Sequence, residues 1–488
     1  MTEIRNKQIE LYKSRGYSDD LLPKTKDQQN WKTFNYFTLW MGSVHNVPNY
    51  VAVGGFLALG FSTFTVMTAI SVSAFFIAGM LVLNGIAGTK YGIPGTMLLR
   101  ASYGIRGALV PGILRGGIAA IMWFGLQNYA GSLALLILIA KIWPAFLDIG
   151  SGATIIGLPV PNMICFLLFW AVNVLIGLGG GGVLNKFTAI LNPLIYVVFG
   201  GMAIWAIYLA GMGNILSYKP QTAATGGSFF LYFVVINSIV SVWAAPAVTA
   251  SDFTQSSNSI KGQAVGQTVG LLVGYILFAV ASVCILAGAS IHYGMDTWNV
   301  LDIIQKWDSV FASVFAGLVI LMTTISTNAT GNIIPAGFQI AALAPRKLNY
   351  KTGVIIASII SVIICPWKLM ENQNSIYLFL DIIGGMLGPV FGVMIAHYFF
   401  VIRGNLDLDT LYTKDGDYQY YSGGFNTNAF IATLIAVVFS LSGKFIPFME
   451  NLSRVSWFVG VLVAFFIYIL LQMRTKEIIE ESISDTTA

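Results

Sequence analysis

The first long apolar stretch of this 488-residue chain is broken by a polar run. It reads Leu39-Trp40-Met41-Gly42-Ser43-Val44-His45-Asn46-Val47-Pro48-Asn49-Tyr50, with apolar sequence on both sides. Backbone at membrane depth leaves helical geometry only where protein buries it or where it lines a wet cavity. A span with His, two Asn and a Pro at mid-depth therefore excludes a plain anchor. Broken spans of this kind hold substrates and coupling ions in secondary transporters.

The membrane reading rests on composition. Hydrophobic residues make up 56% of the chain and charged residues 10%, against about 25% charged in a soluble domain. A span takes about 20 apolar residues. By that rule the chain holds about twelve, near 34–58, 63–87, 108–140, 160–179, 188–211, 228–250, 264–290, 309–343, 351–368, 376–402, 427–447 and 455–473. The third and eighth exceed a bilayer's thickness, which predicts tilt or extension into the interface.

Charge sets the expected orientation. Arg5, Lys7, Lys13, Arg15, Lys24, Lys26 and Lys32 precede the first span, and most remaining Lys and Arg fall in the even loops. Positive loops stay inside, so both termini are expected in the cytoplasm of a multi-pass cell-membrane protein. The segment from Thr2 to Lys32 lacks the apolar core of a cleavable signal peptide. The net charge of +5 is spread without a long basic tract, which argues against nucleic acid as a partner. Cys165, Cys284 and Cys365 lie in apolar stretches without metal spacing and read as buried small residues.

A second interruption is expected in the sixth span, at Asn237-Ser238-Ile239-Val240-Ser241-Val242-Trp243-Ala244-Ala245-Pro246. Its proline removes a helical hydrogen bond and crowds the preceding turn. Spans one and six hold matching places if spans one to five and six to ten are inverted copies, and paired breaks point to a binding site. Ordinary proline kinks in packed helices are the competing reading.

The third span places Trp123 and Gln127 four residues apart, on one helix face. An indole face beside an amide suits a flat polar heterocycle, since the ring stacks while the amide donates and accepts. A packing Trp with a Gln bonded to a neighbouring helix fits the same residues. In the eighth span, nine of the eleven residues from Met322 to Asn332 are small or polar. Hydroxyls at Thr323, Ser326, Thr327 and Thr330 recur at helical spacing. Such a stripe offers oxygen to a small hard cation, although Ser and Thr also bond to their own helix carbonyls. Intramembrane ionisable residues are functional candidates. Here they are His45, Arg115, Asp252, Asp381 and His397, with Arg115 and Asp252 expected near cytoplasmic ends in structural roles. No P-loop, HExxH or His/Cys metal cluster occurs, so no motor, enzyme or cofactor is expected.

Together these segments resemble the nucleobase–cation symport family of hydantoin, allantoin, cytosine and uracil permeases. The passages that carry the resemblance are Trp40 to Asn46, Arg100 to Gly107, Met122 to Gln127, Ile325 to Asn328 and Gly384 to Pro389. It runs from about Trp31 to Leu471 and looks closest to bacterial allantoin permeases.

The resemblance implies an all-α membrane protein of about 12 transmembrane helices, with two inverted five-helix repeats (LeuT-like) plus two C-terminal helices. The implied layout is a cytoplasmic segment 1–32 and a transport core 33–402, with repeats of about 33–211 and 228–402. A cytoplasmic loop 403–426, two added helices 427–473 and a cytoplasmic tail 474–488 follow. The resemblance assigns substrate contacts to Asn46, Trp123, Gln127, Trp243 and Asn332. It assigns the cation to carbonyls of Gly42, His45 and Thr323 and hydroxyls of Ser326 and Thr327. His45 and Thr323 stand where the hydantoin transporter has Ile and Ala, so carbonyl ligation is kept while His45 opens a proton-coupled route. The expected activity is import of a small planar amide-bearing heterocycle, allantoin or a related hydantoin, with Na⁺ or H⁺. Uracil or cytosine is the alternative. The bilayer is the expected surrounding, and no obligate protein partner is implied.

Overall fold

The computed structural model describes residues 2–219, 229–294, 300–370, 373–413 and 421–487. Among the described residues the regular elements are helices, apart from a hairpin in which β1 (Thr154–Ile155) pairs antiparallel with β2 (Leu158–Pro159) and an isolated bridge between Trp31 and Ser257. After an N-terminal helix α1 (Thr2–Ser14), the first apolar stretch folds as two helices, α2 (Thr33–Val44) and α3 (Val47–Ala58). His45 and Asn46 are extended between them, at φ −83°, ψ 92° and φ −143°, ψ 160°. The expected break is therefore present.

The later stretches follow in order. They are α4 (Thr63–Tyr91), α5 (Gly95–Tyr103), α6 (Leu109–Ile142) and α7 (Val160–Ala210). The last is 51 residues long and covers the fourth and fifth expected spans. Gly180, at φ 64° and ψ −164°, divides it where the first of them was expected to end. The sixth is α8 (Phe229–Val242) and α9 (Ala244–Val248), interrupted at Trp243. Pro246 sits in the first turn of α9, where its missing N–H costs little. Then come α10 (Ile260–Tyr293), α11 (Val310–Leu343), α12 (Tyr350–Ile363), α13 (Gln373–Ala396), α14 (Thr427–Leu441) and α15 (Ser456–Thr487). Eight of the described helical segments are long and apolar enough to cross a bilayer, and α8 and α12 are shorter apolar helices. The long third and eighth stretches each contain a π-helical turn, at Ile113–Ala119 and Ala329–Ile333.

Helix starts follow from capping side chains. Ser62, Ser259, Ser309 and Asn349 accept hydrogen bonds from Thr65, Gly262, Ala312 and Thr352 backbone N–H groups at 2.9–3.2 Å. Each such cap contributes about 1 kcal/mol. Large apolar side chains such as Leu175, Ile204 and Phe311 point outward, whereas Asn84, Asn128, Asn173, Gln263, Gln267 and Asn328 are buried. This arrangement suits lipid outside and polar chemistry inside.

Close packing seats the broken span. On α10, Gly262, Gly266, Gly270 and Gly274 recur every fourth residue and the last three face α2. A Cβ at Gly266 would meet the Thr33 carbonyl oxygen at 2.4 Å. Glycine lets the two backbones touch, as small residues do between membrane helices.

Candidate functional site

The end of α2 exposes carbonyls without helical partners, and the helix dipole makes that end partly negative. Side chains take up two of them. Thr327 Oγ1 donates to the Ser43 carbonyl at 2.9 Å, and Asn49 Nδ2 donates to the Val44 carbonyl at 2.7 Å. Among the described residues, none donates to the Gly42 carbonyl.

The Asn46 side chain is turned into the break. Its Oδ1 accepts the Asn49 N–H at 3.1 Å and caps α3. Its Nδ2 lies 3.4 Å from Thr327 Oγ1 and from the Ser43 and Val44 carbonyls. Sequence reasoning gave this amide to a substrate; in this conformation it joins α2 to α11. A short polar side chain beside an extended backbone finds local N–H and C=O groups first.

The hydroxyl stripe of α11 divides in the same way. Thr323 Oγ1 donates to the Ile320 carbonyl at 2.8 Å and Thr330 Oγ1 to the Ser326 carbonyl at 2.8 Å. Thr327 Oγ1 also lies 3.0 Å from the Thr323 carbonyl. Ser326 Oγ is buried and has no partner among the described residues. Of the four hydroxyls, it is the one without such a partner. Gly42 lies against it, since a Cβ there would be 3.3 Å from Ser326 Oγ. The structure thus brings Gly42, Ser326 and Thr327 together at the end of α2.

The His45 ring points elsewhere. It stacks on Phe199, meets Phe278 edge-on at 5.4 Å between centroids, and places Nδ1 3.2 Å from Tyr50 Oη. Its backbone, by contrast, lies in the break.

On α6, Trp123 and Gln127 are both buried. Trp123 meets Phe379 edge-on at 5.7 Å, and Gln127 Oε1 has no partner among the described residues. α6 packs against α3, α11 and the π turn that carries Asn332. Asn332 Nδ2 donates to Asn328 Oδ1 at 2.8 Å. Asn328 Nδ2 in turn reaches Asn128 Oδ1 and Asn173 Oδ1, both at 3.3 Å. This amide network spans three helices and was not expected. Its only trace in the sequence is asparagine inside apolar stretches. Trp243 crosses Trp40 edge-on at 5.4 Å and donates its Nε1–H to Tyr275 Oη, so its polar edge is satisfied within the fold.

Arg115 is fully buried in the π turn of α6, not at a wet helix end. Its Nε donates to Thr249 Oγ1 at 3.1 Å and its Nη2 to the Gly331 carbonyl at 2.9 Å. It was expected near a cytoplasmic end, within reach of water; the structure buries it instead, and its Nη1 has no partner among the described residues. Asp252 Oδ1 accepts the Gly95 N–H at 2.8 Å. His397 Nδ1 pairs with Tyr468 Oη at 2.9 Å. Cys165 and Cys284 are buried, whereas Cys365 is half-buried, in the turn after α12.

A cavity of about 830 Å³ lies at the N-terminal segment, lined in part by Lys24, Thr25, Trp31, Asp252, Gln255 and Phe338; it includes none of the ten expected site residues. The segment is tied down around it. Trp31 N–H donates to the Ser256 carbonyl at 2.9 Å, and Lys24 Nζ to Ser256 Oγ at 2.7 Å. Burial holds the Lys24 ammonium below its ordinary 10.5, with Asp20 opposing.

A helical bundle with broken spans, amides inside and lipid-suited faces outside is the build of a secondary transporter. The chain belongs to the family described as permeases for cytosine/purines, uracil, thiamine and allantoin, whose family model matches residues 23–460. It is therefore a membrane permease and not an enzyme. It is 72% identical over 471 residues to a candidate allantoin permease of Escherichia coli strain K12, covering 96% of this chain and 97% of that one. It is 38% identical to the allantoin permease of Bacillus subtilis strain 168, covering 96% and 95%. In fold it resembles Mhp1, a nucleobase-cation-symport-1 family transporter solved closed with bromovinylhydantoin bound. The TM-score is 0.77 at 22% identity, covering 94% of this chain and 95% of that one.

Proposed function

We propose that this chain is a symporter that imports allantoin or a related hydantoin across the cell membrane together with Na⁺. The similarity to allantoin permeases of two bacteria supports the substrate class. Trp123 offers a ring face, while Gln127 and Asn332 offer amides to the N–H and C=O groups of a planar heterocycle. Trp243 closes the same site. The observation that carries the reading is the unpartnered, buried Gln127 Oε1. A buried amide oxygen left without a donor is costly, and a substrate N–H would satisfy it.

The cation binds at the end of α2, through the Gly42, His45 and Thr323 carbonyls and the Ser326 and Thr327 hydroxyls. Na⁺ is favoured over H⁺ because these ligands are neutral oxygens and the His45 ring is packed among aromatic side chains. Asn46 bridges the cation helices rather than touching substrate. The ten-helix core spans about 33–402 as two repeats, and both termini face the cytoplasm, in keeping with the basic residues before Thr33.

The test is uptake of labelled allantoin and uracil into proteoliposomes under a Na⁺ gradient, a H⁺ gradient or neither. Allantoin accumulation driven by Na⁺ is expected. Uracil accumulation without allantoin uptake would move the substrate class, and accumulation driven by H⁺ alone would move the ion.

A further inference from the structure

The fifth stretch of the sequence, the part of α7 beyond Gly180, carries no expected site residue, yet it faces Gly42. A Cβ at Gly42 would lie 3.1 Å from Asn192 Oδ1, 3.3 Å from Ser326 Oγ and 3.5 Å from Thr188 Cγ2. Two oxygens from two helices thus converge on one point beside α2. Both are buried and neither has a hydrogen-bond partner among the described residues. Asn192 is 7% exposed and Ser326 0%.

The orientation of the Asn192 amide is fixed. Its Nδ2 donates to the Thr38 carbonyl at 2.9 Å, which leaves Oδ1 aimed at Gly42. An unpaired amide oxygen and an unpaired hydroxyl oxygen each need a positive partner. The negative end of the α2 dipole faces the same place. The donor set contains no carboxylate, so it suits a monovalent hard cation rather than a divalent one.

We infer that Asn192 is a direct ligand of the coupling cation, so that α2, α7 and α11 all contribute oxygens to one Na⁺ site. The inference rests on the Na⁺ reading above and adds a third helix to it. Gly42 is required there because a larger residue would fill the space between the two oxygens.

The test is the thermal stability of the purified full-length chain, titrated with NaCl against choline chloride at constant ionic strength and without substrate. Wild type should be stabilised by NaCl. Ser326→Ala and Asn192→Ala should each raise the half-saturating NaCl by about tenfold or more. Asn192→Asp, of equal volume, should lower it and bring in a response to CaCl₂, because it adds a charge to the same oxygen position. If Asn192→Ala does not fold, Asn192→Asp alone decides.

If Ser326→Ala weakens the response while neither Asn192 variant changes it, Asn192 is no ligand and its oxygen holds only a water. If wild type does not respond to NaCl, the Na⁺ reading itself falls and this inference with it.

Discussion

The rings of His45 and Phe199 are stacked, 4.7 Å apart between centroids and inclined by 29°. With Tyr50 and Phe278 on other sides, the imidazole acts as a packing group at the corner of the broken span. His45→Ala should therefore destabilise the protein by about 2–4 kcal/mol, as expected for emptying a packed site. The half-saturating Na⁺ for transport should stay within about twofold, since the residue's ligand is a carbonyl. Thermal unfolding and Na⁺-dependent uptake on the same preparation check both halves. A lost pH profile with intact stability would assign the ring to proton coupling instead.

Thr327 holds the buried C-terminal end of α2 through the Ser43 carbonyl. Thr327→Val keeps the shape but removes the hydroxyl, at a cost of about 1 kcal/mol, since the Ser43 carbonyl keeps only the long contact to Asn46 Nδ2. The half-saturating Na⁺ should rise, and Thr327→Ser should restore it. Uptake measured over a NaCl series in the three proteins tests this; equal curves for Val and Ser would refute it.

Gln127 offers a cleaner separation of stability from binding. Gln127→Leu removes a buried oxygen that has no partner, so the substrate-free protein should be as stable as wild type or more so. Allantoin affinity should fall by about tenfold or more. Substrate-induced stabilisation against a concentration series reads both numbers. Unchanged affinity would move the recognition site away from α6.

The contact between α2 and α10 tolerates no side chain at Gly266. Gly266→Ala should cost about 1–3 kcal/mol through overpacking. Gly79, whose Cβ would meet nothing within 4 Å, serves as the control. Gly79→Ala should be neutral or slightly stabilising, because alanine is the better helix former. Paired melting curves decide the matter.

Lys24 predicts a pH effect at the N-terminal segment. Its folded pKa is depressed below 10.5, so the unfolded chain binds more protons in the interval beneath that value. Stability therefore rises with pH as the buried amine loses its proton, and levels off above 10.5. Lys24→Gln should flatten this alkaline rise. Melting temperatures of the two proteins across the alkaline range give the comparison; parallel slopes would assign the rise to another group.

The breaks were legible because breaking a membrane helix takes conspicuous residues. Pro48 beside His45 and Asn46, and Pro246 after Trp243, stand out against apolar surroundings. Helix extents were legible for a similar reason, since apolar length is set by the bilayer. What the sequence hid was partnership. Nothing local distinguishes Ser326, whose hydroxyl is free, from Thr330, whose hydroxyl returns to its own helix. The two differ only in what faces them. The capping bond of Asn46 was hidden because it needs the extended backbone of the break, and the burial of Arg115 because its two acceptors lie far away in the chain. The four-residue glycine repeat on α10 takes its meaning from the neighbour it admits, which no local pattern names.

Arg115 takes the carbonyl of Gly331, the residue before Asn332, so a side chain of α6 sets the register of the π turn of α11. The amide network around Asn328 adds α7 to the same block. These helices cannot slide past one another by a turn without orphaning a buried guanidinium.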